Sequence, residues 1–201
     1  MPIMEVIEVK KIAPAVLFFV LFMMVAAIAP ASAVPEKKVE YSIYGFSVGG
    51  GTFDLSIKDN AVIFRTITPA TQLVKLTLDE TMYFSIVKCY TDFEFNRNVW
   101  QGTMLTHWEM QIYEHTWFTP NDPCVGTLRG ITVVHLTDIN AAMLATGAGM
   151  QQGSDGTGVM EGVTIHGYEE IYPTTITMPP KGTFTTLGCT INGMAIMQYN
   201  N

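Results

Sequence analysis

The chain has 201 residues, of which 11 are Lys or Arg and 18 are Asp or Glu, so its formal net charge at pH 7 is −7. An acidic chain with only three arginines, Arg65, Arg97 and Arg129, is a poor electrostatic match to a phosphate backbone. We therefore expect no nucleic-acid partner.

The N-terminal segment 1–33 has the organisation of a secretory signal peptide. Lys10 and Lys11 form a positive region, an uncharged stretch follows from 12 to 33, and Ala31-Ser32-Ala33 has the small-x-small pattern of a cleavage site. Cleavage there would leave 34–201 as one exported domain, either secreted or associated with the cell envelope. The alternative is an uncleaved membrane anchor, because the uncharged stretch is long enough to span a bilayer. A membrane is expected as a partner only in that case.

Beyond position 34 the pattern predicts an all-β protein. Stretches of alternating, β-branched and aromatic residues are separated by Gly, Pro, Asn and Asp, and about ten to twelve strand candidates follow one another. Gly49-Gly50-Gly51, Asp59-Asn60 and Asp79-Glu80 are interpreted as hairpin turns. Consecutive hairpins favour a single-domain antiparallel β-barrel of about eight or more strands, because closure removes exposed edges; a β-sandwich is the alternative.

Two neighbouring segments deviate from this pattern. Residues 139–150 are rich in Ala and carry Asp138 as an N-cap, so they predict either a short helix or a strand of small residues lying against close neighbours. Residues 151–158 are polar and rich in Gly, and they are expected to form a loop.

The longest strand candidate, 103–118, has two distinct faces. Trp108, Met110 and Ile112 alternate with a polar set that shares the opposite parity: His107, Glu109, Gln111, Tyr113 and His115. Aromatic residues are concentrated here, which is typical of a pocket for a flat or apolar ligand, and equally of a core or an oligomer interface. The residues predicted to lie near a pocket are Trp108, Met110, Ile112, Tyr113 and His115.

Two candidate chemistries belong to the same segment. His107, Glu109 and His115 share one strand face and would need further ligands, such as His135 or His166, to hold a metal ion; we interpret them instead as a solvated face and expect no metal and no cofactor. Glu114 shares parity with the apolar residues, so its carboxylate is expected on the apolar side of the strand. In an enzyme, either Glu114 or His115 would be the acid or base. A strand-end position in solvent is the alternative for Glu114.

A glycine pattern occurs twice in the second half of the chain. Gly126-Thr-Leu-Arg-Gly130-Ile-Thr-Val and Gly158-Val-Met-Glu-Gly162-Val-Thr-Ile are interpreted as two glycine-bent strands, with Arg129 and Glu161 as a cross-strand ion pair if the strands are neighbours. Together with Gly156-Thr-Gly158 and Gly182-Thr-Phe, residues 103–198 resemble allene oxide cyclase-like and dirigent-like barrels. The resemblance implies an eight-stranded antiparallel barrel with an apolar interior, often in oligomers. No catalytic position of that family is matched.

The functional expectation follows from the fold. The leading hypothesis is a secreted or cell-envelope barrel that binds a small apolar ligand or acts as a self-associating scaffold, as a homo-oligomer. The alternatives are a cofactor-independent barrel enzyme, cyclase- or isomerase-like, acting on a small apolar substrate, and a purely structural envelope protein. Cys89, Cys124 and Cys189 are expected to be buried thiols or to form one disulfide.

Overall fold

The computed structural model describes residues 36–114, 122–140, 144–178 and 182–198, with the backbone alone at residue 178. All regular elements in these ranges are strands, and they are numbered in chain order. The strands are β1 Glu36–Gly49, β2 Thr52–Lys58, β3 Ala61–Thr68, β4 Ala70–Leu78, β5 Thr81–Asn96, β6 Gln101–Tyr113, β7 Cys124–Ile139, β8 Ala145–Gly158, β9 Val163–Met178 and β10 Gly182–Gln198.

Eight of the strands form a closed antiparallel barrel. Their order is β5-β4-β1-β10-β9-β8-β7-β6, and β6 pairs back with β5 along its whole length. Within this ring, β1 pairs with β10, and Glu36 lies opposite Gln198. The first barrel strand in the chain therefore lies beside the last. The predicted antiparallel β-barrel is confirmed, and the β-sandwich is not the fold.

The two remaining strands extend one side of the barrel. β5 pairs with β4 over residues 81–89 and then with β3 over residues 93–96, while β2 pairs with β3 alone. The hairpin predicted at Gly49–Gly51 is therefore wrong. β1 pairs with β4 and β2 pairs with β3, so the three glycines mark a bend between two segments of one long hairpin. Its turn is at Asp59-Asn60, where Asp59 has a φ of 54°.

The segment around β8 also differs from its prediction. The polar, Gly-rich residues 151–158 belong to β8, which pairs with both β7 and β9 and is not a loop. Of the two alternatives for residues 139–150, the structure shows a strand from Ala145 onward, and 141–143 lie outside the described residues. The inward positions of β8 are Ala145, Gly147, Gly149, Gln151 and Gly153. Small inward residues carry no helical or alternating apolar signature, although the backbone is fully paired.

The repeated glycine pattern has two different structures. Gly126–Val133 lies within β7, whereas Gly158–Gly162 forms the turn between β8 and β9, with φ values of 60° at Gly158 and 71° at Gly162. The predicted ion pair between Arg129 and Glu161 is therefore wrong. Arg129 lies opposite Glu109 of β6, and its Nε is 3.7 Å from a Glu109 oxygen.

Alternate residues of the barrel strands point inward and form the core. One cluster contains Tyr41, Trp108, Met110, Ile112 and Ile165 among others, and a second, smaller cluster contains Phe95, Val134, Leu136, Ile139 and Ile171. The predicted signal peptide, residues 1–33, lies outside the described residues. Within the described residues, no helix is long and apolar enough to cross a membrane.

Candidate ligand-binding site

The barrel interior is not filled completely. A cavity of about 380 Å³ lies inside it, within the size range of small-molecule sites. Apolar side chains make up most of its wall, among them Val74, Val87, Trp108, Met110 and Leu136. The lining also includes Gly50 and Phe53, which are exposed, so the cavity opens at the end of the barrel where β1 ends.

Aromatic rings surround this opening. Phe64 of β3 and Phe93 of β5 stack with their ring centroids 4.3 Å apart, and Phe53 of β2 meets both rings edge-on at about 6 Å. All three rings line the cavity. The β2–β3 extension, which adds nothing to barrel closure, thus supplies two of the three rings at the mouth.

A row of polar side chains crosses the apolar interior, and we call it the polar belt. It contains Thr91 of β5, Thr106 of β6, Thr132 of β7, Gln151 of β8 and Glu169 of β9, and every member lines the cavity. The first four lie directly opposite one another in the register of neighbouring strands. The hydroxyls of Thr91 and Thr106 are 3.0 Å apart. Buried polar groups need such partners, and this contact restricts the orientations of the two hydroxyls.

Glu169 is the ionisable carboxyl group of the belt. It lies opposite Gly149 of β8, and Gly149 lies opposite Val134 of β7, so no β8 side chain separates Glu169 from β7 at this level. The hydroxyl of Thr132 on β7 donates a hydrogen bond to the carboxylate. Burial raises the pKa of Glu169 from 4.5 to about 7, against the opposing effect of that hydrogen bond. The residue keeps 7% of its surface exposed, and it lines the cavity.

Tyr41 fixes the neighbouring amide. Its hydroxyl donates a hydrogen bond of 3.1 Å to Oε1 of Gln151. The Tyr41 ring reaches this position across two strands because Gly193 and Gly167 lie beneath it, where a Cβ would collide with the ring or its hydroxyl. Burial raises the pKa of the Tyr41 hydroxyl well above its usual value, so the group stays a neutral donor.

Trp108 is held in the same manner. The six-membered ring of its indole lies over Gly130 of β7 and Gly153 of β8, and a Cβ at either glycine would collide with it. The indole Nε1 is buried and has no hydrogen-bond partner among the described residues. Because this atom has almost no exposed surface, it does not face the open cavity.

The predicted ligand-binding residues have different positions. Trp108 and Met110 line the cavity; Ile112 is fully buried in the larger apolar cluster and does not. Tyr113 is half-buried at the end of β6, beside Phe84, with ring centroids 6.3 Å apart. His115 lies outside the described residues.

Of the candidates for metal binding and acid–base chemistry, those that the structure describes lie away from the cavity. His107 and Glu109 are exposed on the outer face of β6, where Glu109 pairs with Arg129. Glu114 is exposed just beyond the end of β6, as in the strand-end alternative. Within the described ranges, no group of three or more His, Cys, Asp or Glu side chains is placed to hold a metal ion.

All three cysteines are free thiols in this structure. Cys89 and Cys189 are buried and line the cavity, whereas Cys124 is exposed at the start of β7. Burial raises the pKa of Cys89 to about 12 and raises that of Cys189 further, with the charge of Glu169 adding to both effects. Both thiols are therefore neutral and weakly reactive at physiological pH.

Sequence reasoning did not find Glu169. Its signal was parity: Val163, Ile165 and Ile171 alternate along β9 on the same face as Glu169. The adjacent Glu169-Glu170 pair is typical of a solvated segment, and in the structure only Glu170 is exposed.

Comparison of the chain with protein-family models, with curated proteins and with solved structures finds no match.

Proposed function

We propose that this protein binds a small, mainly apolar molecule inside its barrel. The observation that carries the proposal is the 380 Å³ cavity, whose mainly apolar wall includes the polar belt and a few further polar side chains. An apolar wall with a few placed polar groups is the usual composition of a ligand pocket. A purely structural barrel has no need of such a space, since unfilled interior volume costs stability.

The first test narrows the cavity from one wall. Ala145 of β8 is buried and lines the cavity, so Ala145→Leu places three additional carbons in it. We expect the wild type to bind the neutral probe 2-(1-naphthyl)ethanol with one molecule per chain. We expect the variant to bind it about tenfold or more weakly, because the added atoms occupy ligand space. Isothermal titration calorimetry measures both affinities.

The matched control is Ala148→Leu, the same substitution on the same strand but at an outward position. Its affinity should equal that of the wild type, and circular dichroism should show all three proteins folded. Equal affinity in the wild type and Ala145→Leu would show that the probe does not occupy the cavity and would contradict the proposal.

A second candidate function is a cofactor-independent enzyme on a small apolar substrate. The observation that favours it is Glu169, a carboxyl group in the cavity wall whose pKa of about 7 lets it both accept and donate a proton at neutral pH. In this candidate Glu169 takes the acid–base role for which the sequence suggested Glu114 or His115. An activity that Glu169→Gln abolishes while naphthylethanol binding persists would support it.

Self-association and export complete the proposal. An exposed apolar row, Leu105, Val133, Met150 and Tyr168, crosses the outer faces of β6 to β9 with each residue opposite the next, and such a row supports a homo-oligomer. The proposal of secretion or envelope association rests on the sequence of residues 1–33 alone, and so does the alternative of a membrane anchor. Membership of the allene oxide cyclase-like barrels also stays a prediction, supported by the eight-stranded antiparallel barrel.

A further inference from the structure

The charge of the cavity wall restricts the ligand. Among the described residues that line it, Glu169 is the carboxylate, and none is Lys, Arg or His. A carboxylate or phosphate ligand would bring a second negative charge close to Glu169 without a cation to balance either. The wall therefore favours neutral or positively charged ligands.

The groups that face Glu169 do not neutralise it. Tyr41 from β1, Cys89 from β5 and Cys189 from β10 interact electrostatically with Glu169, and all three are neutral because burial raises their pKa values. From β7, Thr132 supplies a hydrogen bond and no charge. No described residue forms an ion pair with Glu169.

We propose that the ligand is an apolar molecule with one basic amine, and that Glu169 binds its ammonium group inside the cavity. The inference rests on the proposed ligand-binding function and specifies the ligand class of the same site. The apolar body of the ligand would lie against the wall that contains Trp108, Met110 and Leu136.

An ammonium group gains more binding free energy at this position than a hydroxyl group does. The fold has already removed Glu169 from bulk water, so binding adds only the desolvation of the ammonium. In return, charge-assisted N–H···O bonds form to a carboxylate that has one hydrogen bond from Thr132. Such bonds are roughly twice as strong as neutral ones, which corresponds to about a tenfold difference in affinity.

The test compares three naphthalene probes of similar size: 2-(1-naphthyl)ethylamine, 2-(1-naphthyl)ethanol and 1-naphthylacetate. Calorimetry on the full chain at pH 8, where Glu169 is mostly ionised, should show the amine binding about tenfold more tightly than the alcohol, and the acetate binding weakest. In Glu169→Gln the preference of the wild type for the amine over the alcohol should disappear. The control Glu170→Gln, whose side chain lies on the outer face, should behave as the wild type.

A second measurement needs no variant. Between pH 8 and pH 5.5 the probe amine stays protonated while Glu169 takes up a proton, so amine affinity should fall severalfold and approach that of the alcohol, whose affinity should change much less. Equal affinity of amine and alcohol at pH 8, or a pH-independent amine affinity, would overturn the inference and leave the binding function intact. Failure of all three probes to bind would overturn the proposed function as well.

Discussion

At the scale of single residues, Glu169 couples the cavity to the stability of the barrel. Its pKa is raised from 4.5 to about 7 on folding, so the folded state holds this proton more tightly than the unfolded state. The corresponding stability is fully present below pH 4.5, declines as the pH rises towards 7, and is absent above it. At about 1.36 kcal/mol per pKa unit, the loss amounts to about 3 kcal/mol.

We therefore expect Glu169→Gln to remove this decline, because glutamine does not titrate. The free energy of unfolding of the variant, relative to the wild type, should rise by about 3 kcal/mol between pH 4.5 and pH 7.5. Urea unfolding at four pH values across this range measures the difference. Glu170→Gln serves as the control and should parallel the wild type. Parallel curves for Glu169→Gln and the wild type would show that Glu169 is not held in a raised-pKa environment.

At the scale of elements, glycines on neighbouring strands determine where the large side chains lie. Trp108 of β6 extends over Gly130 and Gly153, and Tyr41 of β1 extends over Gly193 and Gly167. In both cases a ring from one strand covers the next two strands on the same side of it. The glycine pattern of the sequence is thus explained at Gly130 by close approach of a ring, one of the roles that glycine has within strands.

We expect Gly130→Ala to destabilise the barrel by about 1–3 kcal/mol, the usual cost of overpacking a core. The new Cβ would collide with Trp108 and with the carbonyl oxygen of Gln152, so the indole must move. Urea unfolding gives the stability, and near-ultraviolet circular dichroism reports the indole environment. In Gly50→Ala, where a Cβ meets no atom within 4 Å, the change should stay below about 0.5 kcal/mol. Equal stabilities of the two variants would contradict the proposed packing.

The strands differed in how well their sequences predicted them. In β6, Trp108, Met110 and Ile112 alternate with polar residues, and all three are buried as predicted. In β8 the inward positions are mostly glycine and alanine, so alternation is absent. Residues 139–150 were therefore compatible with a helix or with a strand of small residues, and residues 151–158 were interpreted as a loop. The polar belt was missed for a related reason: each member is a single polar residue whose partners lie on other strands. Local patterns carry no information about which strands are neighbours.

At the scale of the whole molecule, closure combines short-range and long-range pairing. Most barrel strands pair with the next strand in the chain, whereas β1 pairs with β10, the first described strand with the last. The sequence predicted a closed barrel from its consecutive hairpins. It could not predict the bend at Gly49–Gly51, because a glycine triplet between two strands is compatible with a hairpin turn and with a bend alike.

The pairing of Glu36 with Gln198 also determines which end of the barrel carries both of these residues. Both residues lie at the end of the barrel opposite the Phe53, Phe64 and Phe93 rings, because β1 runs from Glu36 towards Gly49 and β10 runs back. A barrel attached to a surface or to a fusion partner through either of these ends would present its mouth to the surrounding solution. Because Glu36 and Gln198 are neighbours, a short linker could join β10 to β1 there without obstructing ligand entry at the other end of the barrel.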